Sequence, residues 1–129
     1  MNRYWPEYGI GLVFTSNRSI KGMNEIQFLK DAFHCADFCN MEDKGWKYYD
    51  NSKESGKGFF PFAEEKEYNE EPDEMLVLWA KKQPAPFKAI YPDGMKELRK
   101  EFQDAVGKYL PPDFDWNAHI GYFHTVIYG

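Results

Sequence analysis

Ala118-His119-Ile120-Gly121-Tyr122-Phe123-His124-Thr125-Val126-Ile127-Tyr128 places Ile120, Tyr122, Val126 and Tyr128 on one parity and Phe123, Thr125 and Ile127 on the other. Successive side chains of a strand point to opposite faces, so the pattern predicts a long strand that is apolar on both sides. Such a strand belongs inside a sheet, not at its edge.

Working back from that strand, Pro111-Pro112 stops the element before it. Met95, Leu98, Phe102, Ala105, Val106 and Tyr109 recur at spacings of three and four, with Lys96, Glu97, Lys100, Glu101 and Asp104 opposite, which predicts an amphipathic helix over about 93–109. Met75-Leu76-Val77-Leu78-Trp79-Ala80 is a continuous apolar run of strand length, and Tyr8 to Thr15 alternates small and large apolar residues as another strand does. Asn24 and Gln27 have capping-box spacing. Ile26, Phe28, Leu29, Ala32, Phe33, Cys35, Ala36 and Cys39 follow as an apolar stripe, while Glu25, Gln27, Lys30, Asp31, His34 and Asp37 take the solvent side. A helix over about 24–39 is expected. Trp46-Lys47-Tyr48-Tyr49 and Phe59-Phe60-Pro61-Phe62 predict a short hairpin, whose second arm is an edge strand or extended loop because Pro61 lacks an amide proton.

The order strand, helix, weak strands, strand, helix, strand predicts an α+β fold. Its expected form is a mainly antiparallel sheet of four to five strands with two helices on one face, a split βαβ or ferredoxin-like variant. At 129 residues the chain is expected to be one globular domain. Aromatics make up 19% of it, so much of the apolar content is rings, which suit interfaces as well as cores. No apolar stretch reaches the length of a membrane span and the first residues lack an apolar signal region, so a cytoplasmic protein with no membrane contact is expected.

Charge is unevenly spread. Residues 64–74 hold seven acids and one lysine, a net of −6, so the overall −5 leaves about +1 for the rest of the chain. The acidic segment is expected on the surface.

Catalytic and metal motifs are weak. His34, Cys35, Cys39, His119 and His124 are the only His and Cys residues, but the predicted helix and strand point them in different directions, so no metal and no cofactor are expected. Cys35 or Cys39 as a nucleophile would want a histidine in reach, which the spacing does not supply. Gly56-Lys57-Gly58 lacks the remaining residues of a phosphate loop. Lysines alternate with Trp46, Tyr48, Tyr49, Phe59 and Phe60, yet Asp43, Asp50 and Glu54 offset them, and a chain of pI near 5.2 offers little to nucleic acid.

The leading expectation is a non-enzymatic protein-binding domain, an inhibitor or antagonist of a larger intracellular protein, of the kind carried by phages and mobile elements against defence systems or toxins. Glu64, Glu65, Glu67, Tyr68, Glu70, Glu71, Asp73 and Glu74 would dock on a basic partner surface, with Trp46, Tyr48, Tyr49, Phe59 and Phe60 as anchors. The alternative is a small-ligand or nucleotide-binding domain, or a minor hydrolase, with a pocket between sheet and helices and Asp113, Asp115, His119 and His124 at its mouth. A homodimer joined through exposed aromatics is a third expectation.

Overall fold

The computed structural model describes residues 4–49, 58–64, 71–82 and 92–128. In chain order these form β1 (Tyr4–Thr15), β2 (Ser19–Ile20), β3 (Met23–Asn24), α1 (Glu25–Ala32), β4 (Lys47–Tyr48), β5 (Gly58–Glu64), β6 (Asp73–Lys82), α2 (Pro92–Val106), α3 (Trp116–His119) and β7 (Ile120–Tyr128), with 3₁₀ turns at Phe38–Lys44 and Gly107–Tyr109. The result is an α+β arrangement around a mixed, mostly antiparallel five-stranded sheet of order β4-β5-β6-β1-β7. β1 and β5, linked through α1, run parallel with β6 between them. Among the described residues no helix is long and apolar enough to cross a membrane.

α1 starts where expected, with the Asn24 side chain accepting the Gln27 backbone N–H at 2.8 Å. It ends seven residues before the expected boundary. His34 turns left-handed at φ +54, and the Cys35 and His34 amides donate to the Lys30 and Asp31 carbonyls, a helix stop normally built on glycine. Cys35 therefore lies in the loop after α1 and Cys39 in the Phe38–Lys44 turn, not on one helical stripe. The Lys21-Gly22 turn that joins β2 to β3 has φ +51 and +79, as a two-residue hairpin requires.

The sheet departs from expectation at both edges. β4 and β5 are not an antiparallel hairpin. They pair parallel, Lys47 with Gly58 and Tyr48 with Phe59. β4 has ended by the level of Pro61, so β5 is a local edge there and the missing amide is tolerated. At the other end, the strand expected inside the sheet closes it as an edge, and it begins at Ile120 because Trp116–His119 winds into α3. Asp115 caps that turn, accepting the Ala118 amide.

The core lies on the helix-bearing face. Leu12, Phe14, Phe59, Leu76 and Leu78 from the sheet meet Ile26, Leu29 and Phe33 near α1 and Phe102 and Val106 of α2. Each such side chain contributes about 1.5–3 kcal/mol by leaving water. Val77, Ala80 and Phe123 form a smaller cluster on the opposite face, with Val13, Tyr49 and Phe60 against it.

Ile10 pairs with Lys81 and Leu12 with Leu78, so Gly11 faces both Trp79 and Ala80. The bulge puts Leu78 and Trp79 on the same, helix-bearing face. A β-carbon on Gly11 would stand 2.6 Å from Val77 Cγ1 and 2.9 Å from the Leu78 carbonyl oxygen. Gly11→Ala is therefore expected to destabilise the fold by about 1–3 kcal/mol, read as a lower denaturant midpoint with an unchanged slope.

Candidate functional site

Trp79 occupies the bulge at φ +56, a left-handed conformation that costs a bulky residue about 1–2 kcal/mol and normally calls for glycine. The backbone holds it there because Leu78 and Ala80 are anchored on opposite faces, both essentially without exposure. Strain retained at one residue is a pointer to function. The indole of Trp79 lies edge-on to Trp46, with ring centroids 6.0 Å apart, and its Nε1–H is buried without an acceptor among the described residues.

Around these rings opens a cleft of about 300 Å³, lined by Lys44, Trp46, Trp79, Ala105, Lys108 and Tyr109. Its elements are the sheet on one side, the end of α2 with the following turn on another, and the Phe38–Lys44 turn at the rim. Trp46 is buried and forms an apolar wall, braced edge-on by Phe33, whose ring centroid is also 4.3 Å from that of Tyr109. Lys108 Nζ stands 5.0 Å from the Tyr109 ring centre, within cation–π range. Lys44 and Lys108 are exposed, and among the described residues neither lies within ion-pair distance of a carboxylate. The cleft thus offers aromatic walls and two uncompensated positive charges.

A second cleft, of about 290 Å³, brings together Asp113, Asp115 and His119 with Ser19, Lys21 and Phe114. Three of the four residues expected at a pocket mouth are thus neighbours. His124 lies apart on β7 opposite Tyr8, and its side chain is outside the described residues. His119 is already fully engaged: Nδ1 donates to the Asp115 carbonyl at 2.8 Å, and Nε2 meets Glu25 Oε2 at 2.5 Å. Neither nitrogen is left to take a proton from a substrate.

Glu25, expected on the solvent side of its helix, is in fact 1% exposed. As the first residue of α1 it reaches under the end of β1. Its Oε1 accepts the Thr15 amide at 3.0 Å and stands 3.3 Å from Arg18 Nε. Arg18 also donates to the Val13 and Ala118 carbonyls. Burial pushes the Glu25 pKa up, but the hydrogen bonds from His119 and Thr15 and the charges of His119 and Arg18 outweigh it, so the carboxyl lies below its ordinary value. With Glu25 ionised, Nε2 of His119 is the donor. This cluster ties β1, the following turn, α1 and α3 together, an architectural role.

The remaining expected residues are scattered. The acidic segment is the β5–β6 connection, Glu64 pairing with Asp73; residues 65–70, including Glu65, Glu67, Tyr68 and Glu70, lie outside the described residues. Glu71 and Glu74 are exposed, Asp73 accepts from Asn17 at 2.9 Å, and Glu74 is 4.0 Å from Lys30. Among the aromatic candidates, Trp46 and Phe59 are core residues with Tyr48 against Phe59, whereas Tyr49 and Phe60 pack on the opposite face with Phe123. They do not form one patch. Burial pushes the Cys35 thiol pKa up, opposite to what a nucleophilic thiolate needs. Among the described residues no group of three or more His, Cys, Asp or Glu is placed to hold a metal ion.

Trp46 was the one cleft residue singled out from sequence as an anchor. Lys44 read only as one of the lysines alternating with Trp46 and the tyrosines, Tyr109 as part of the apolar stripe of the second helix, and Trp79 as one more residue of a buried strand; Lys108 carried no special signal. Comparison with known proteins gives no match, whether to protein-family models, to curated proteins or to solved structures.

Proposed function

We propose that this chain is a small-ligand-binding domain, built on a ferredoxin-like variant with β4 added at one edge. Its ligand is a planar ring bearing negative charge, the class to which nucleotides belong. The observation that carries this reading is Trp79, held at φ +56 beside two lysines that have no carboxylate partner among the described residues. A ring inserted against Trp46, Trp79 and Tyr109 gains stacking of about 1–3 kcal/mol per aromatic platform, and its anion gains Lys44 and Lys108. The volume, near the lower limit for ligand sites, suits one ring system and one acidic group.

Titration with adenosine monophosphate, followed by tryptophan fluorescence, tests it. Saturable quenching is expected, with weaker binding of inorganic phosphate and of benzoate, each of which has only part of the ligand. Exposed charge pairs contribute about 1 kcal/mol at most, so Lys44→Gln together with Lys108→Gln should weaken binding by about tenfold and flatten its salt dependence. No saturable response to any of the three probes would count against the reading.

A further inference from the structure

β7 pairs with β1 in unbroken register from Leu12 with Ile120 to Tyr4 with Tyr128. On its other side no strand follows among the described residues, because β7 ends the sheet. Edge strands of monomers are normally blunted by lysine, proline, a bulge or an inward charge. β7 has none of these. Ile120–Tyr128 contains no Asp, Glu, Lys, Arg or Pro, its ladder has no register shift, and Tyr122 is 45% exposed.

We propose that β7 pairs antiparallel with β7 of a second copy of this chain about a two-fold axis, joining two five-stranded sheets into one continuous sheet. The composition of β7 explains why the occupant is a second copy. Ile120 and Phe123 are already packed on the two faces of the sheet, so β7 presents its outer row of backbone groups and the exposed Tyr122, with no Asp, Glu, Lys or Arg to select a charged partner. A two-fold axis perpendicular to the sheet sets the helix-bearing face of one copy beside that of the other, so both apolar parities continue across the junction. Charge placement agrees. The acidic segment joins β5 to β6, on the far side of β1 from β7, so the two like-charged segments stand at opposite ends of the joined sheet.

Sedimentation equilibrium of the full chain, paired with hydrogen exchange at high and low protein concentration, decides it. A mass near twice 15.2 kDa is expected at high concentration, with amides of Ile120–Tyr128 slowing as the dimer forms. Tyr122→Lys should weaken the dimer by about tenfold, since a two-fold interface feels each substitution twice, while the circular dichroism of the monomer is unchanged. A single-chain mass at every concentration overturns the proposal. So does a dimer whose concentration-dependent protection falls outside Ile120–Tyr128.

Discussion

Glu25→Ala is expected to lower stability by about 3–5 kcal/mol, enough to bring a domain of this size close to unfolding. The carboxylate accepts from the Thr15 amide and the His119 ring, stands 3.3 Å from Arg18 Nε as its counter-charge, and is almost wholly excluded from water. Removing it strands two buried donors, on β1 and α3, and leaves Arg18 without its counter-charge. Glu25→Gln keeps the shape and an acceptor for Thr15 but loses the charge, so its cost should be smaller. The pH dependence follows from the same geometry. The folded carboxyl titrates below its ordinary 4.5, so the unfolded chain binds the proton more readily. Its stabilisation is therefore complete above that value and is lost as pH falls through the lower folded one. Urea denaturation across acidic pH should show a steep loss in the wild type and a shallower one in Glu25→Gln. Equal slopes would remove Glu25 from the explanation of acid unfolding.

Trp79→Gly should separate stability from binding. Truncating a buried tryptophan ordinarily costs about 3–5 kcal/mol. Here the ring is only half-buried, and glycine relieves the left-handed strain of about 1–2 kcal/mol, so the thermal midpoint should move much less. Binding of adenosine monophosphate should nevertheless fall by about tenfold or more, because the ring is one wall of the cleft. A residue whose role was only packing would give the reverse, a large loss of stability with no separate effect on a ligand.

The two helices and three principal strands were legible because each rests on a local period: Ile26, Leu29 and Phe33 at helical spacing, Leu12 and Phe14 in alternation. Non-local choices were not. The stop of α1 at His34 uses a left-handed residue where glycine is usual, so composition gave no mark of it. The parallel pairing of β4 with β5 depends on tertiary placement of two residues. The edge position of β7 contradicts its own pattern, and that disagreement is what points to a second chain. For the cleft, Gly9-Ile10-Gly11 inside a strand is a mark of a bulge or close packing, but the left-handed residue on the facing strand is a tryptophan, which carries no such mark. Glu25 looked solvated because helical periodicity says nothing about the first turn reaching beneath a neighbouring strand.

The most direct measurement on the cleft uses the indole N–H resonances of the four tryptophans, Trp5, Trp46, Trp79 and Trp116. In a nitrogen–proton correlation spectrum titrated with adenosine monophosphate, the Trp79 and Trp46 signals should shift together and saturate, with Trp5 and Trp116 unmoved. Shifts confined to Trp5 or Trp116, or no saturable shift at Trp79, would contradict a ligand site at the bulge.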